Sequence, residues 1–155
     1  ILTEPKNKAY LQEELKKRQQ LADVFFLTEN TIQNMHNVKF DIFLLGKKIT
    51  KNQELVRNIA KGTDYFILNS DLKENLNLLE NLDLKIITYG YNQKATITAS
   101  SIEEGKMMVC LQRGIKNVCQ ETVEPQEIKI ELTPKADDIA IMELASLLFL
   151  CAEKT

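Results

Sequence analysis

Glycine is scarce in this chain, with five residues among 155. None falls in a GxGxxG or GxxxxGK[ST] arrangement. Phosphate cradles need such loops so that backbone N–H groups can converge on an anion at the start of a helix. Gly46-Lys-Lys-Ile-Thr50 stands between a predicted strand and a predicted helix, where a phosphate loop would sit. It lacks the earlier glycine and the Lys-Ser/Thr adjacency, and reads as a plain turn. Histidine occurs once, as His36, and cysteine three times, at 110, 119 and 151, with none of the short spacings that zinc sites show. The same scarcity argues against a Cys/His nucleophile pair. Cys110 falls in a predicted strand and Cys151 in an apolar helix, where cysteine acts as a small hydrophobe. Only Cys119, in a polar loop, is expected at the surface.

Charge of one sign is lacking too: 20 basic and 22 acidic residues leave a net −2, with the signs interspersed. That balance offers no electrostatic ground for binding nucleic acid or an anionic membrane surface. The short basic runs Lys16-Lys-Arg18 and Lys47-Lys48 read as solvated faces. The longest apolar run, Ile139 to Ala152, is broken by Glu143 and Ser146. It falls short of the ~20 residues a membrane-spanning helix needs. Odd, unspaced cysteines without a secretory leader fit a reduced cytoplasmic protein. Ile1 is not an initiator residue, which points to a trimmed chain or a piece of a longer one.

What is present is an ordinary globular composition, 44% apolar and 27% charged. Its length can bury roughly two thirds of the unfolded surface in one domain. Ile1-Leu-Thr3 is short enough for a strand or a frayed end, and a helix follows from Pro5 with Ala9, Leu11, Leu15 and Leu21 on its apolar face. Asp23–Leu27, Phe40–Leu45, Tyr65–Leu68 and Lys85–Tyr89 are compact apolar runs, read as buried strands. Helical patterns lie between them: a short one after Thr28-Glu-Asn-Thr31, one capped by Thr50 and stopped by Gly62, and one capped by Asp71 and carrying Leu72, Leu76, Leu79 and Leu82. Strands some twenty residues apart with helices between them predict βαβ units and a parallel sheet.

The rhythm changes at Lys94. Residues 95–102 and 106–112 form a hairpin about Glu103-Glu-Gly105, residues 113–125 are a polar loop, and Glu127–Leu132 alternates as a half-buried strand. Thr133-Pro134 opens a last helix, apolar nearly all round from Ile139 to Ala152, with Asp137 and Asp138 near its positive end. Such a helix is buried on more than one side. It lies either between the sheet and another layer or against a partner chain. The expected fold is therefore α/β: a three-layer sandwich with a mainly parallel sheet, then a small antiparallel β-meander and a C-terminal apolar helix, in a single domain over 1–155.

In open α/β sheets ligands sit at the carboxyl ends of the strands. Here those ends carry Asn69 and Asp71 after one strand and Tyr89, Gly90 and Asn92 after the next, the candidate ligand-binding residues. The same residues also suit turns: Asn69 and Asp71 to bend the chain and cap a helix, Gly90 to allow a positive φ. Arg113, at the end of the meander strand, suits a carboxylate or phosphate, or a surface salt bridge. No pair of carboxylates, metal cluster or nucleophile arrangement is legible, so no catalytic residue is assigned.

The order Phe66-Ile-Leu-Asn69-Ser-Asp71, helix, Ile86-Ile-Thr-Tyr-Gly90, meander, Ile128–Leu132 and an apolar helix containing Ala145 resembles the end of the Mur ligase middle domain, over about residues 64–152. The resemblance implies an ATP-binding ancestry. The chain departs from that pattern where chemistry is done. It has no Gly-Lys-Thr/Ser phosphate loop, Leu72 stands in place of the second acid of the turn, the His-Asn pair at the last helix gives way to Ala136-Asp137, and no lysine corresponds to the carbamylated one. The resemblance thus implies a relative that does not catalyse ATP-dependent ligation, with only Asn69 carried over, near the adenine end of the site. The combined expectation is a non-catalytic domain without cofactor or metal, bound to no nucleic acid or membrane. It is expected to assemble with itself or a partner protein through Ile139–Ala152. The alternative is a nucleotide or small-metabolite binding domain using the polar strand ends at 69–71 and 89–92.

Overall fold

The computed structural model describes residues 1–18 and 23–151. A first helix, α1 (Pro5–Lys17), begins with Pro5 in its first turn, where a missing N–H costs nothing, and ends on Lys16 and Lys17 at its negative pole. The predicted Leu21 lies outside the described residues. A 3₁₀ turn follows at Thr31–Met35, held by reciprocal hydrogen bonds between Thr28 and Thr31. Then come β1 (Ile42–Leu45), α2 (Gln53–Lys61), β2 (Tyr65–Asn69), α3 (Lys73–Leu78) and β3 (Lys85–Tyr89). The chain continues through β4 (Ile97–Glu103), β5 (Lys106–Leu111), β6 (Ile115–Lys116), β7 (Thr122–Val123) and β8 (Gln126–Glu131) to α4 (Asp138–Leu150).

The main sheet has six strands in the order β1-β2-β3-β4-β5-β8. β1, β2 and β3 are parallel, β4 joins β3 in parallel through the Tyr89–Ile97 pair alone, and β4, β5 and β8 are antiparallel. The β4–β5 turn places Glu104 and Gly105 both at positive φ, as a two-residue turn matched to strand twist requires. Side chains alternate across the sheet with a period of two, so each strand feeds two cores. Phe43, Leu45, Phe66 and Leu68 face Val56, Ile59 and Ala60 of α2 and Leu79 after α3, with the Phe43 and Phe66 rings stacked at 5.1 Å. Leu44, Ile67, Ile87 and Tyr89 face Leu11 and Leu15 of α1 and the length of α4. The result is an α/β fold of three layers, helices on both faces of a mixed sheet.

Several local expectations are corrected; among them, α3 ends at Leu78, so Leu79 and Leu82 lie beyond it. Asp23–Leu27 is not a strand of the sheet. The position beside β1 is taken by Leu2, whose N–H donates to the Leu44 carbonyl and whose carbonyl accepts from Gly46 N–H. Residues 25–27 lie irregularly outside that segment, with Leu27 N–H donating to the Ile1 carbonyl. Thr50 does not cap α2: Asn52, in the left-handed region at φ 58°, precedes the helix, and Thr50 Oγ1 donates to Glu29 instead. Asp71 does not cap α3, because its carboxylate is engaged elsewhere. The loop expected over 113–125 contains the small β6–β7 hairpin, a second sheet.

The last helix opens later than Pro134, at Asp138. Asp137 serves as its N-cap, accepting from Ala140 N–H at 2.8 Å. Ten of its thirteen residues are buried, between the sheet and α1. Its apolar composition is met inside this chain and does not by itself call for a partner. Ala152 lies outside the described residues.

Candidate functional site

β2 and β3 end side by side, in register from Tyr65–Lys85 to Asn69–Tyr89. Everything at their carboxyl ends follows from that pairing. Ser70, just beyond β2, gives both its N–H and its Oγ to the Tyr89 carbonyl, at 2.8 and 3.1 Å. Asn69 turns its Oδ1 back to accept from Asp71 N–H at 2.9 Å, a local Asx-type turn. Asp71 then reaches across to the loop after β3, its two carboxylate oxygens accepting from Tyr91 N–H at 2.9 Å and Asn92 N–H at 3.2 Å. Asn92 folds the same loop, its Oδ1 accepting from Lys94 N–H at 2.9 Å. The Tyr91 hydroxyl donates to the Asp138 carboxylate at the start of α4. Burial, with Asp138 beside it, pushes the Tyr91 hydroxyl up to about 12.

Gly90 sits inside this arrangement at φ +144°, a conformation side chains rarely adopt. A Cβ there would stand 2.7 Å from both Asp71 Oδ2 and Ser70 Oγ. Four of the five predicted residues are therefore brought together, and they chiefly serve one another. Asn69, Asp71, Gly90 and Asn92 knot two loops into a strap that crosses from β3 to α4.

Tyr89 belongs to a different cluster, on the helix-α4 side of the sheet. Its ring is fully buried and its hydroxyl donates to Glu143 Oε1 at 3.1 Å. Thr3 Oγ1 lies 2.8 Å from both Glu143 oxygens and can donate to one at a time. Asn7, 1% exposed, lies near the same carboxyl, but its Nδ2 makes no hydrogen bond of ordinary geometry. Burial pushes the Glu143 carboxyl up to about 7; Asp137 adds to the rise, and the Thr3 and Tyr89 hydroxyls oppose it. Burial and the facing Glu143 carboxyl hold the Tyr89 phenol well above its ordinary range.

Gly46 closes this cluster from β1, and a Cβ there would come within 2.5 Å of Glu143 Oε1 and 2.9 Å of both Thr3 Oγ1 and Tyr89 Oη. The glycine that stood where a phosphate loop would begin thus marks a close approach, not a cradle. The turn after it is pinned by Asn75, whose Oδ1 accepts from Ile49 N–H and whose Nδ2 donates to the Lys47 carbonyl.

Thr3, Asn7, Asn75 and Glu143 were invisible as site residues in the sequence, and Gly46 was read as part of a plain turn. One signal existed: a carboxylate at 143 inside an otherwise apolar helix must find polar partners once the helix is buried. The other candidates stand apart. His36 is exposed, its Nδ1 beside the Gln33 carbonyl. Cys119 is exposed, while burial raises the Cys110 and Cys151 thiols. Lys47 and Lys48 face Glu29 and Glu74, and Lys17 and Arg18 face Glu14. Arg113 makes no ion pair among the described residues, and no group of three or more His, Cys, Asp or Glu is placed to hold a metal ion there. No described helix is long and apolar enough to cross a membrane. The chain matches no protein-family model and no curated protein.

Proposed function

We propose that this chain is a non-catalytic α/β domain of Mur-ligase-middle-like architecture, in which the ligand crevice at the strand ends has been filled by the protein's own side chains. One observation carries this reading. The polar groups at the carboxyl ends of β1, β2 and β3 point into one another: Asp71 onto the backbone of residues 91 and 92, and Glu143 onto Thr3 and Tyr89 under Gly46. A ligand phosphate would need free N–H donors at these ends, and those of Tyr91 and Asn92 in the loop after β3 are spent on Asp71.

Assembly with itself or a partner protein through Ile139–Ala152 would rest on the half-buried Ile139 and Leu148, since the other apolar side chains of α4 are covered within the chain. The alternative, nucleotide or small-metabolite binding at 69–71 and 89–92, is favoured by the clustering of those residues. It requires the strap over residues 90–94 to open. Thermal unfolding with ATP, ADP and AMP separates the two. A nucleotide at one hundred times its dissociation constant adds about 2.7 kcal/mol of stability. The filled-crevice reading expects no shift, and a saturable rise with any of the three would overturn it.

A further inference from the structure

The amino ends of the same strands are built differently. A groove of about 240 Å³ opens there, between the starts of β2 and β3 and the β6–β7 hairpin. Its walls are apolar: the Tyr65 ring, Ile115 and Ile87, all on the α4 side of the sheet. Lys85 and Lys116 stand in the lining, and neither is ion-paired among the described residues. The Lys85 ammonium lies 5.3 Å from the centre of the Tyr65 ring, and Lys116 gives one bond, to Thr122 Oγ1. An ammonium has three donors, and beyond the Thr122 bond those of both exposed lysines face solvent, where an anion can replace water.

The groove is also held in shape. Tyr65 Oη donates to the Asn117 carbonyl and accepts from Gln120 Nε2, tying the hairpin to β2. Val118 N–H donates to the Leu150 carbonyl, tying it to the end of α4.

We propose that this groove is a binding site for a small monoanion with an apolar body, of the class of a medium-chain carboxylate. The alkyl part lies along Ile87, Ile115 and the Tyr65 ring, and the carboxylate takes the donors of Lys85 and Lys116. Two unpaired cations over an apolar, pre-formed wall select an anion over a cation or a neutral alkane, and a site of this volume suits a short ligand. The site does not depend on how the carboxyl ends are read.

The test is an amide chemical-shift titration of the whole chain with octanoate, with octylammonium as the charge-reversed probe, repeated on the double variant Lys85→Gln/Lys116→Gln. Both lysines are exposed, so the variant keeps the fold, which its unperturbed spectrum elsewhere verifies. Octanoate should shift the amides of residues 65, 85–87, 115–116 and 120 saturably, and the variant should bind it about tenfold more weakly, as loss of charge-assisted hydrogen bonds implies. The proposal is overturned by the absence of saturable shifts at millimolar octanoate, by octylammonium binding equally well, or by the double variant binding unchanged.

Discussion

The two ends of the parallel strands spend their polar groups in opposite ways. At the carboxyl ends, the exposed Asp71 carboxylate is matched to backbone N–H groups and the buried Glu143 to the Thr3 and Tyr89 hydroxyls, and glycines 46 and 90 allow contacts with no room for a methyl group. At the amino ends, lysines 85 and 116 line an apolar groove with donors to spare. Strand-end position alone does not make a site. What matters is whether the hydrogen-bonding capacity there is already consumed by the fold.

The sharpest way to break this contrast is to disturb the tightest contact at the filled end. Gly46→Val puts branched carbon where Glu143 Oε1, Thr3 Oγ1 and Tyr89 Oη already lie 2.5 to 2.9 Å from the place a Cβ would take. Overpacking of a buried site costs about 3 kcal/mol at the upper end of its usual range. Urea unfolding should show a loss of that order. A loss below about 1 kcal/mol, the lower end of that range, would mean that the cluster has slack and that the crevice is less full than the geometry shows.

Next in size is the titration of Glu143. Its folded pKa, about 7, stands above the ordinary value of 4.5. Between those values the folded chain holds a proton that the unfolded chain has released. The Glu143 contribution is therefore complete below pH 4.5, declines as pH rises, and is lost above about 7, a change of roughly 3 kcal/mol. The readout is accordingly the stability difference between the native chain and Glu143→Gln, followed from about pH 4 to 8. The native chain should lose ground to the variant steadily across that range, and a flat difference would place Glu143 outside any buried cluster.

The sheet was legible in the sequence wherever hydrophobic period and turn chemistry agreed. β1, β2, β3, the β4–β5 hairpin and β8 each declared themselves by apolar runs or by alternation, and Glu104-Gly105 by its turn. The strand expected at 23–27 failed because an apolar run says that a segment is covered, not which neighbour has claimed the sheet edge; Leu2 holds that edge. The strand ends that carry the candidate residues are predictable from local pattern, and the structure gathers Asn69, Asp71, Gly90 and Asn92 while turning Tyr89 to Glu143. Their roles were not found. Asp71 was expected to serve its own helix, yet its partners lie twenty and twenty-one residues away. Thr3 and Glu143, 140 positions apart, meet only after the sheet has formed. Periodicity carries no trace of such a pairing.

Asp71 provides a smaller effect with a more specific signature. Asp71→Ala removes an exposed carboxylate that accepts two backbone N–H bonds, at a cost of about 1 kcal/mol after solvent takes its place. Gly90→Ala should cost about 2 kcal/mol in the native chain, from its positive φ and from the Asp71 contact. In the Asp71→Ala background the Asp71 share of the clash disappears while that with Ser70 Oγ stays, so the two losses should sum to less than additivity predicts. Strict additivity in a double-mutant cycle would show that the two loops are not packed as one strap.

The smallest effect tests how firmly that strap is anchored. Tyr91 is 53% exposed, and its hydroxyl bond to Asp138 competes with water. Removing it in Tyr91→Phe should cost no more than about 0.5 kcal/mol globally. Local opening is the better measure, because weakly held loops exchange their amide hydrogens at free energies well below that of global unfolding. The amides of residues 91 and 92, which donate to Asp71, should exchange several-fold faster in the variant, while those of β2 and β3 stay unchanged. If they do, the crevice at the carboxyl ends is held shut by Asp71 and Tyr91 together. If exchange at 91 and 92 is unaltered, Asp71 alone closes it, and a ligand could be admitted only by breaking the Asp71 pair of bonds.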